Sequence, residues 1–137
     1  MYSKLMIPVD LRHVDQMDKA LSLSADIAKL YGATLHIVGV TSSVPSETAR
    51  TPEAFDEKLT AYANERSQAL DATFVAHTEV SHDPSIDLDE VLQKAAKTIG
   101  ADLIVMASHI PGFAEHFVSS NAGYTASHSA VSVFVVR

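Results

Sequence analysis

"DLDEVLQKAAKTIGADLIVMA", residues 87–107, sets the fold. Leu88, Val91, Leu92, Ala95, Ala96 and Ile99 recur in steps of three and four, which predicts an amphipathic helix. Asp87 and Glu90 have capping-box spacing, with Asp in the usual Ser or Thr place. Gly100 supplies a helix stop. The chain then runs straight into "ADLIVMA", Ala101 to Ala107, an unbroken apolar stretch of strand length. Such runs mark strands buried on both faces of a parallel sheet.

The same alternation extends in both directions. "KLMIPVD" (Lys4 to Asp10) reads as a buried strand ending at Asp10. Val14, Met17, Leu21, Ala25 and Ala28 predict a helix over Val14 to Tyr31, with Leu23, Ile27 and Leu30 widening its stripe and Gly32 as its stop. "ATLHIVGV" (Ala33 to Val40) is a second strand. Thr41 to Pro52 is polar, carries two prolines and predicts a loop. Glu53 to Leu70 is a helix with Phe55, Leu59 and Tyr62 on one side and Pro52 suited to its first turn. Thr73 to Val80 is a third strand, and "SHDPSI" links it to the helix at 87. After Ala107 come a loop, a helix of small residues over about 120–129 and a last strand, "VSVFVV". Strands alternating with helices predict an α/β fold with a parallel sheet and helices on both faces.

Composition bounds the function. At 137 residues the chain is expected to be one domain. A net charge of −7 argues against general nucleic-acid binding and against docking on anionic membranes. There are no cysteines, hence no disulfide framework and no thiolate chemistry. The N-terminus lacks the apolar core of a signal peptide, and no run approaches the roughly 20 residues of a spanning helix. A soluble, cytoplasmic protein is expected.

The loop after the fourth strand, "MASHIPGFAEHFVSSNAG" (Met106 to Gly123), stands where α/β proteins hold phosphates. Ser119, Ser120 and Asn121 offer donors where the next helix should begin, and Ser is also a good N-cap. Two readings stay open: Ser120 with the backbone N–H groups of Asn121 and Ala122 holds phosphates, or a serine hydroxyl only caps the helix. A serine at 119 is strained if that position needs positive φ. No His-Glu-x-x-His, Gly-x-Ser-x-Gly or Walker A motif occurs. In "HTEVSHD" (77–83), strand alternation spreads the ligand-capable side chains over both faces, so no metal site is expected.

Three segments resemble the universal stress protein family, in its small single-domain form: "KLMIPVD", "GADLIVMASH" and the terminal "SVFVVR". The spacing of elements between them matches over essentially the whole chain. The resemblance implies a Rossmann-like, five-stranded parallel sheet in the order 3-2-1-4-5. It also implies a homodimer joined through the last strand, Ser132 to Val136.

The family has a branch that binds ATP through Gly-x-x-Gly, nine residues, then Gly and Ser or Thr. Laid on this chain with the loop one residue shorter than that pattern, the glycine positions fall at Ala107, Ile110 and Ser119, so all three glycines are absent, while Ser120 matches the hydroxyl residue. "ASHIPGFAEHFVSSNA" nevertheless resembles an ATP-binding subgroup with a shortened loop.

By resemblance, the nucleotide site comprises Pro8, Val9, Asp10, Val40, Met106, Ala107, Ser108, His109, Ser119, Ser120, Asn121 and Ala122. Asp10 would accept a hydrogen bond from adenine or ribose, or would merely tie its loop. Val40 would contact the adenine edge through its main chain, and Pro8 would shape the pocket wall. His109 would donate to a phosphate or hold the loop.

The expected ligand is ATP, with AMP and ADP as alternatives and Mg2+ accompanying the nucleotide as an option. It would act as a signal in stress response, through a regulatory protein partner that the sequence does not identify. No catalytic residue is assigned, and any ATP hydrolysis would be slow. The rival is a dimeric scaffold of the same fold that binds no nucleotide. An adenylyl-transfer enzyme ranks last.

Overall fold

The computed structural model describes residues 1–108 and 131–137 of the chain, without the side chain of Ser85. The helix expected over 120–129 and the residues His109, Ser119, Ser120, Asn121 and Ala122 lie outside the described residues.

Five strands form one sheet: β1 (Lys4–Pro8), β2 (Thr34–Ser42), β3 (Phe74–Ser81), β4 (Leu103–Ala107) and β5 (Ser132–Val136). Their spatial order is β3-β2-β1-β4-β5, and every pairing is parallel. Three α-helices are described: α1 (Asp18–Tyr31), α2 (Pro52–Leu70) and α3 (Pro84–Ile99). Right-handed connections put α1 and α2 on one face and α3, which returns from β3 to β4, on the other. Polar contacts tie α1 to α2: Arg66 Nη2 lies 3.3 Å from Asp18 Oδ1, and Lys29 Nζ donates to the Leu70 carbonyl at 3.2 Å.

The core shows why the strands read as apolar runs. Leu5, Met6 and Ile7 of β1 are fully buried, although successive side chains point to opposite faces. Burying each such side chain contributes about 1.5–3 kcal/mol. Gly39 of β2 permits a close approach of helix to sheet, since a Cβ there would sit 2.8 Å from Cε1 of Phe55. Its bare backbone lets Phe55 and Leu59 of α2 lie directly on the sheet.

The helix ends follow local chemistry. Thr51 caps α2 by accepting from Ala54 N at 3.1 Å, and Pro52 opens the helix where no N–H is needed. Gly32 closes α1 in the left-handed conformation at φ 67°. Asp71 closes α2 at φ 48°, the one non-glycine residue with positive φ among those described.

Several boundaries differ from the sequence expectation. β1 stops at Pro8, because proline gives the ladder no N–H and Asp10 is drawn into a turn. Val14–Gln16 form a separate 3-10 turn before α1. β2 runs on to Ser42, paired with β3 as far as Ser42↔Ser81. α3 begins at Pro84, with Ile86 N and Asp87 N both donating to the Asp83 carbonyl. Asp87 and Glu90 therefore sit inside the helix and form no capping box.

Candidate functional site

The strand order reverses between β1 and β4, which both begin from the centre of the sheet and are followed by connections on opposite sides. In open α/β sheets, ligands bind at the carboxyl ends of strands at such a switch point. Pro8, Val9 and Asp10 reach this edge from β1, Val40 from β2, and Met106, Ala107 and Ser108 from β4. The fold thus brings together every described residue of the expected site.

Backbone pairing between β1 and β2 ends at Pro8↔Val38, with one further bond from Val9 N to the Val38 carbonyl at 2.9 Å. The Val38 peptide groups therefore face β1. Alternation in a parallel ladder turns those of Val40, two residues on, the same way. They open toward the space beyond the short β1 strand. On the far side, Ser108 N donates to the Val136 carbonyl at 2.8 Å. Ser108 Oγ is buried and has no hydrogen-bond partner among the described residues. Buried hydroxyls are normally satisfied, so such a group at a ligand edge is informative. Ser81, at the carboxyl end of β3, is a second buried hydroxyl without a described partner. No sequence signal marks it, since serine after a strand reads as a turn residue.

Asp10 is 7% exposed and its carboxylate is heavily engaged. Oδ1 accepts from Arg12 N at 2.9 Å and Arg12 Nε at 3.0 Å. Oδ2 accepts from Arg12 Nη2 at 2.9 Å and lies 3.1 Å from His13 Nδ1. Burial works to raise the Asp10 carboxyl, but the Arg12 side-chain and backbone bonds, the His13 bond and the Arg12 charge hold it below its ordinary value. The group is ionised and can only accept, so His13 carries its proton on Nδ1. Of the two roles open in the sequence, this conformation displays the loop-tying one. Sequence reading missed Arg12 and His13, though both stand within three residues of Asp10.

Beside this clasp is a cleft of about 600 Å³, lined by Leu11, Arg12, Val14, Thr48, Lys58 and Tyr62 among others. Burial pushes the Tyr62 hydroxyl up to about 12, so it stays protonated at neutral pH. That hydroxyl has no described partner. Lys58 Nζ donates to the Thr48 carbonyl and fastens the loop to α2.

Among the described residues, no three His, Cys, Asp or Glu side chains converge as a metal site. No described helix is long and apolar enough to cross a membrane.

Comparison with known proteins agrees with this architecture. A solved universal stress protein in complex with cAMP superposes with a TM-score of 0.65 at 21% identity, covering 99% of this chain and 97% of the other. A universal stress protein from Archaeoglobus fulgidus in complex with dAMP gives a TM-score of 0.61 at 19% identity, covering 99% and 98%. At such identities the likeness concerns the fold. Closer in sequence is universal stress protein G of Shigella flexneri, 30% identical over 148 residues and covering the whole of both chains. The family model described as "Universal stress protein family" matches residues 1–137. With a sheet ordered 3-2-1-4-5 and a match spanning the full sequence, the chain belongs to the universal stress protein family.

Proposed function

We propose that this chain binds ATP or a related adenine nucleotide at the carboxyl edge of β1, β2 and β4, and that the nucleotide acts as a regulatory ligand in a stress response. The observation that carries this reading is the pair of backbone and side-chain groups facing the space at the switch point. The Val40 peptide groups open toward it past the end of the β1–β2 ladder, and the buried Ser108 hydroxyl lacks a described partner on its other side. The first suits the edge of a base and the second a ribose or phosphate oxygen. Relatives of the same fold solved with cAMP and dAMP add support.

In this reading Pro8 shapes the pocket wall, Val9 and Asp10 lie beside it, and Met106, Ala107 and Ser108 bound the other side. His109, Ser119, Ser120, Asn121 and Ala122 are the groups proposed for the phosphates. Mg2+ accompanies a triphosphate if that is the ligand. The protein works as a cytoplasmic homodimer joined along Ser132–Val136, and it passes its state to a regulatory partner protein rather than to nucleic acid or membrane.

The second reading is a dimeric scaffold without nucleotide. The saturated Asp10 carboxylate favours it, because a ribose or adenine donor must displace Arg12 or His13 to reach that group. The two readings separate in one experiment. Freshly purified protein is denatured and its extract run on anion exchange for bound nucleotide. Native protein freed of nucleotide is then titrated with ATP, ADP, AMP and cAMP by calorimetry. Saturable binding that Ser120→Asp abolishes is expected. No recovered nucleotide and no saturation at millimolar ATP establishes the scaffold instead.

A further inference from the structure

The expected scattering of ligand-capable side chains along "HTEVSHD" hides a long-range pair. His77 of β3 meets His36 of β2, 41 positions earlier, with His36 Nδ1 at 2.9 Å from His77 Nε2. The register explains the meeting. His77 stands opposite Val38, and His36 is two residues back on the same face of the sheet. That face is turned away from Gly39 and hence from α2, toward α3.

The geometry is that of a shared proton. The ring centroids are 5.1 Å apart, longer than the nitrogen–nitrogen distance by about one ring radius on each side. The two nitrogens therefore point at each other along the line joining the rings. A metal ion would need about 2.0–2.1 Å to each nitrogen and has no room on that line. A proton does.

The chain of bonds beyond the pair fixes its direction. Thr34 Oγ1 lies 3.0 Å from His36 Nε2 and can donate to the Ser3 carbonyl at 3.4 Å. A carbonyl only accepts, so Thr34 donates to Ser3 and accepts from His36 Nε2–H. Neutral His36 then offers Nδ1 as acceptor, and His77 Nε2–H donates to it. The pair tolerates one added proton. A second places N–H against N–H.

We propose that His36 and His77 form a proton-limited clasp between β2 and the edge strand β3, which opens when the second proton arrives on acidification. The inference is independent of nucleotide binding. β3 is an edge strand with Val75 and Val80 exposed, so its inner partner β2 is what holds it in the sheet. Charged groups on the surrounding elements are Lys4 of β1, Glu79 of β3 on the same face, and on α3 the half-buried Asp87 and Asp89 with Glu90, Lys94 and Lys97 on its exposed side. Burial, then the neighbouring His77, then Lys4 hold the His36 imidazole below its ordinary value. That resistance gives the sign: the unfolded chain binds the His36 proton first. Stability is then lost as pH falls from the unfolded histidine value of about 6.5 down through the lower folded value.

The test is a histidine side-chain NMR titration of the whole protein, with amide exchange followed in β3 and α1. In the wild type the His36 ring should titrate below an ordinary histidine, and His77→Gln should move its midpoint. Between about pH 7.5 and about pH 5, β3 amides should lose protection by about tenfold more than α1 amides, after correction for intrinsic rates. His77→Gln should remove that difference. Thr34→Val keeps both rings and reads the same coupling if a glutamine variant does not fold. It should shift the His36 midpoint. A His36 midpoint that ignores both His77→Gln and Thr34→Val, or pH-independent β3 protection, would each overturn the clasp.

Discussion

The Arg12 guanidinium forks onto the Asp10 carboxylate, Nε at 3.0 Å from Oδ1 and Nη2 at 2.9 Å from Oδ2. Arg12 lies only two residues beyond Asp10, yet the turn after β1 brings its side chain back over the strand end. Asp10 is thereby an anchor for the β1–α1 connection and for one wall of the cleft lined by Arg12 and Tyr62.

Asp10→Asn keeps the shape and removes the charge. Hydrogen bonds to a charged group contribute about 1.5–3 kcal/mol, so the variant should lose stability of that order at neutral pH. The pH dependence has a definite sign. The folded Asp10 value lies below the unfolded one, so its stabilisation is present above about pH 3.9 and is lost as pH falls through the folded value. Urea midpoints of the two proteins should differ at pH 7 and converge in strong acid. A constant difference at every pH would show that the charge does not matter.

Gly39 and Phe55 give a prediction about packing. A methyl group at position 39 would lie 2.8 Å from Phe55 Cε1, 2.9 Å from Phe55 Cζ and 3.0 Å from Leu59 Cδ2. Both neighbours are buried in the core, so neither can swing into solvent. Overpacking of this kind costs about 1–3 kcal/mol. Gly39→Ala should lower the melting temperature, and adding Phe55→Leu should recover part of the loss. If the double variant is no better than Gly39→Ala, the clash is not with the ring.

Much of the fold was legible because a parallel sheet covered on both faces leaves nearly continuous apolar strands. "LIVM" (103–106) and "LMI" (5–7) carry that signal without reference to partners. The start of α3 was obscured by Ile86, which is 73% exposed and lies off the apolar stripe, so Pro84 read as part of a linker. The sheet edge proposed for the ligand was legible as a place, since Asp10 and Ser108 follow strands beside the switch point. What holds Asp10 was not, because an aspartate two residues before an arginine occurs in many surface turns. His36 and His77 were the least visible, since only the β2–β3 register makes them neighbours.

Asp102 ties the amino ends of β1 and β4. Its Oδ2 accepts from Ser3 N at 2.8 Å and its Oδ1 from Lys4 N at 3.0 Å, while its own N–H donates to the Lys4 carbonyl at 3.0 Å. The site is exposed to water, which can replace lost partners, so Asp102→Ala should cost only about 1 kcal/mol. The effect should be local. Amide exchange should rise at Ser3 and Lys4 while α2 stays protected. A uniform rise across the chain would mean that the whole fold depends on this tie.

The last prediction concerns the β5 edge. Among the described residues β5 pairs with β4 alone, and on its surface Val133 is 36% and Phe134 45% exposed. An apolar edge strand invites pairing with another strand. A second copy related by a two-fold axis would cover the same residues on both chains and close the assembly. Phe134→Lys places a charge in that seam on both sides at once. Light scattering should then give half the wild-type mass, with the far-ultraviolet circular dichroism unchanged. A dimer mass that survives the substitution would move the interface elsewhere. A monomeric wild type would leave this edge to be covered by the protein's own chain.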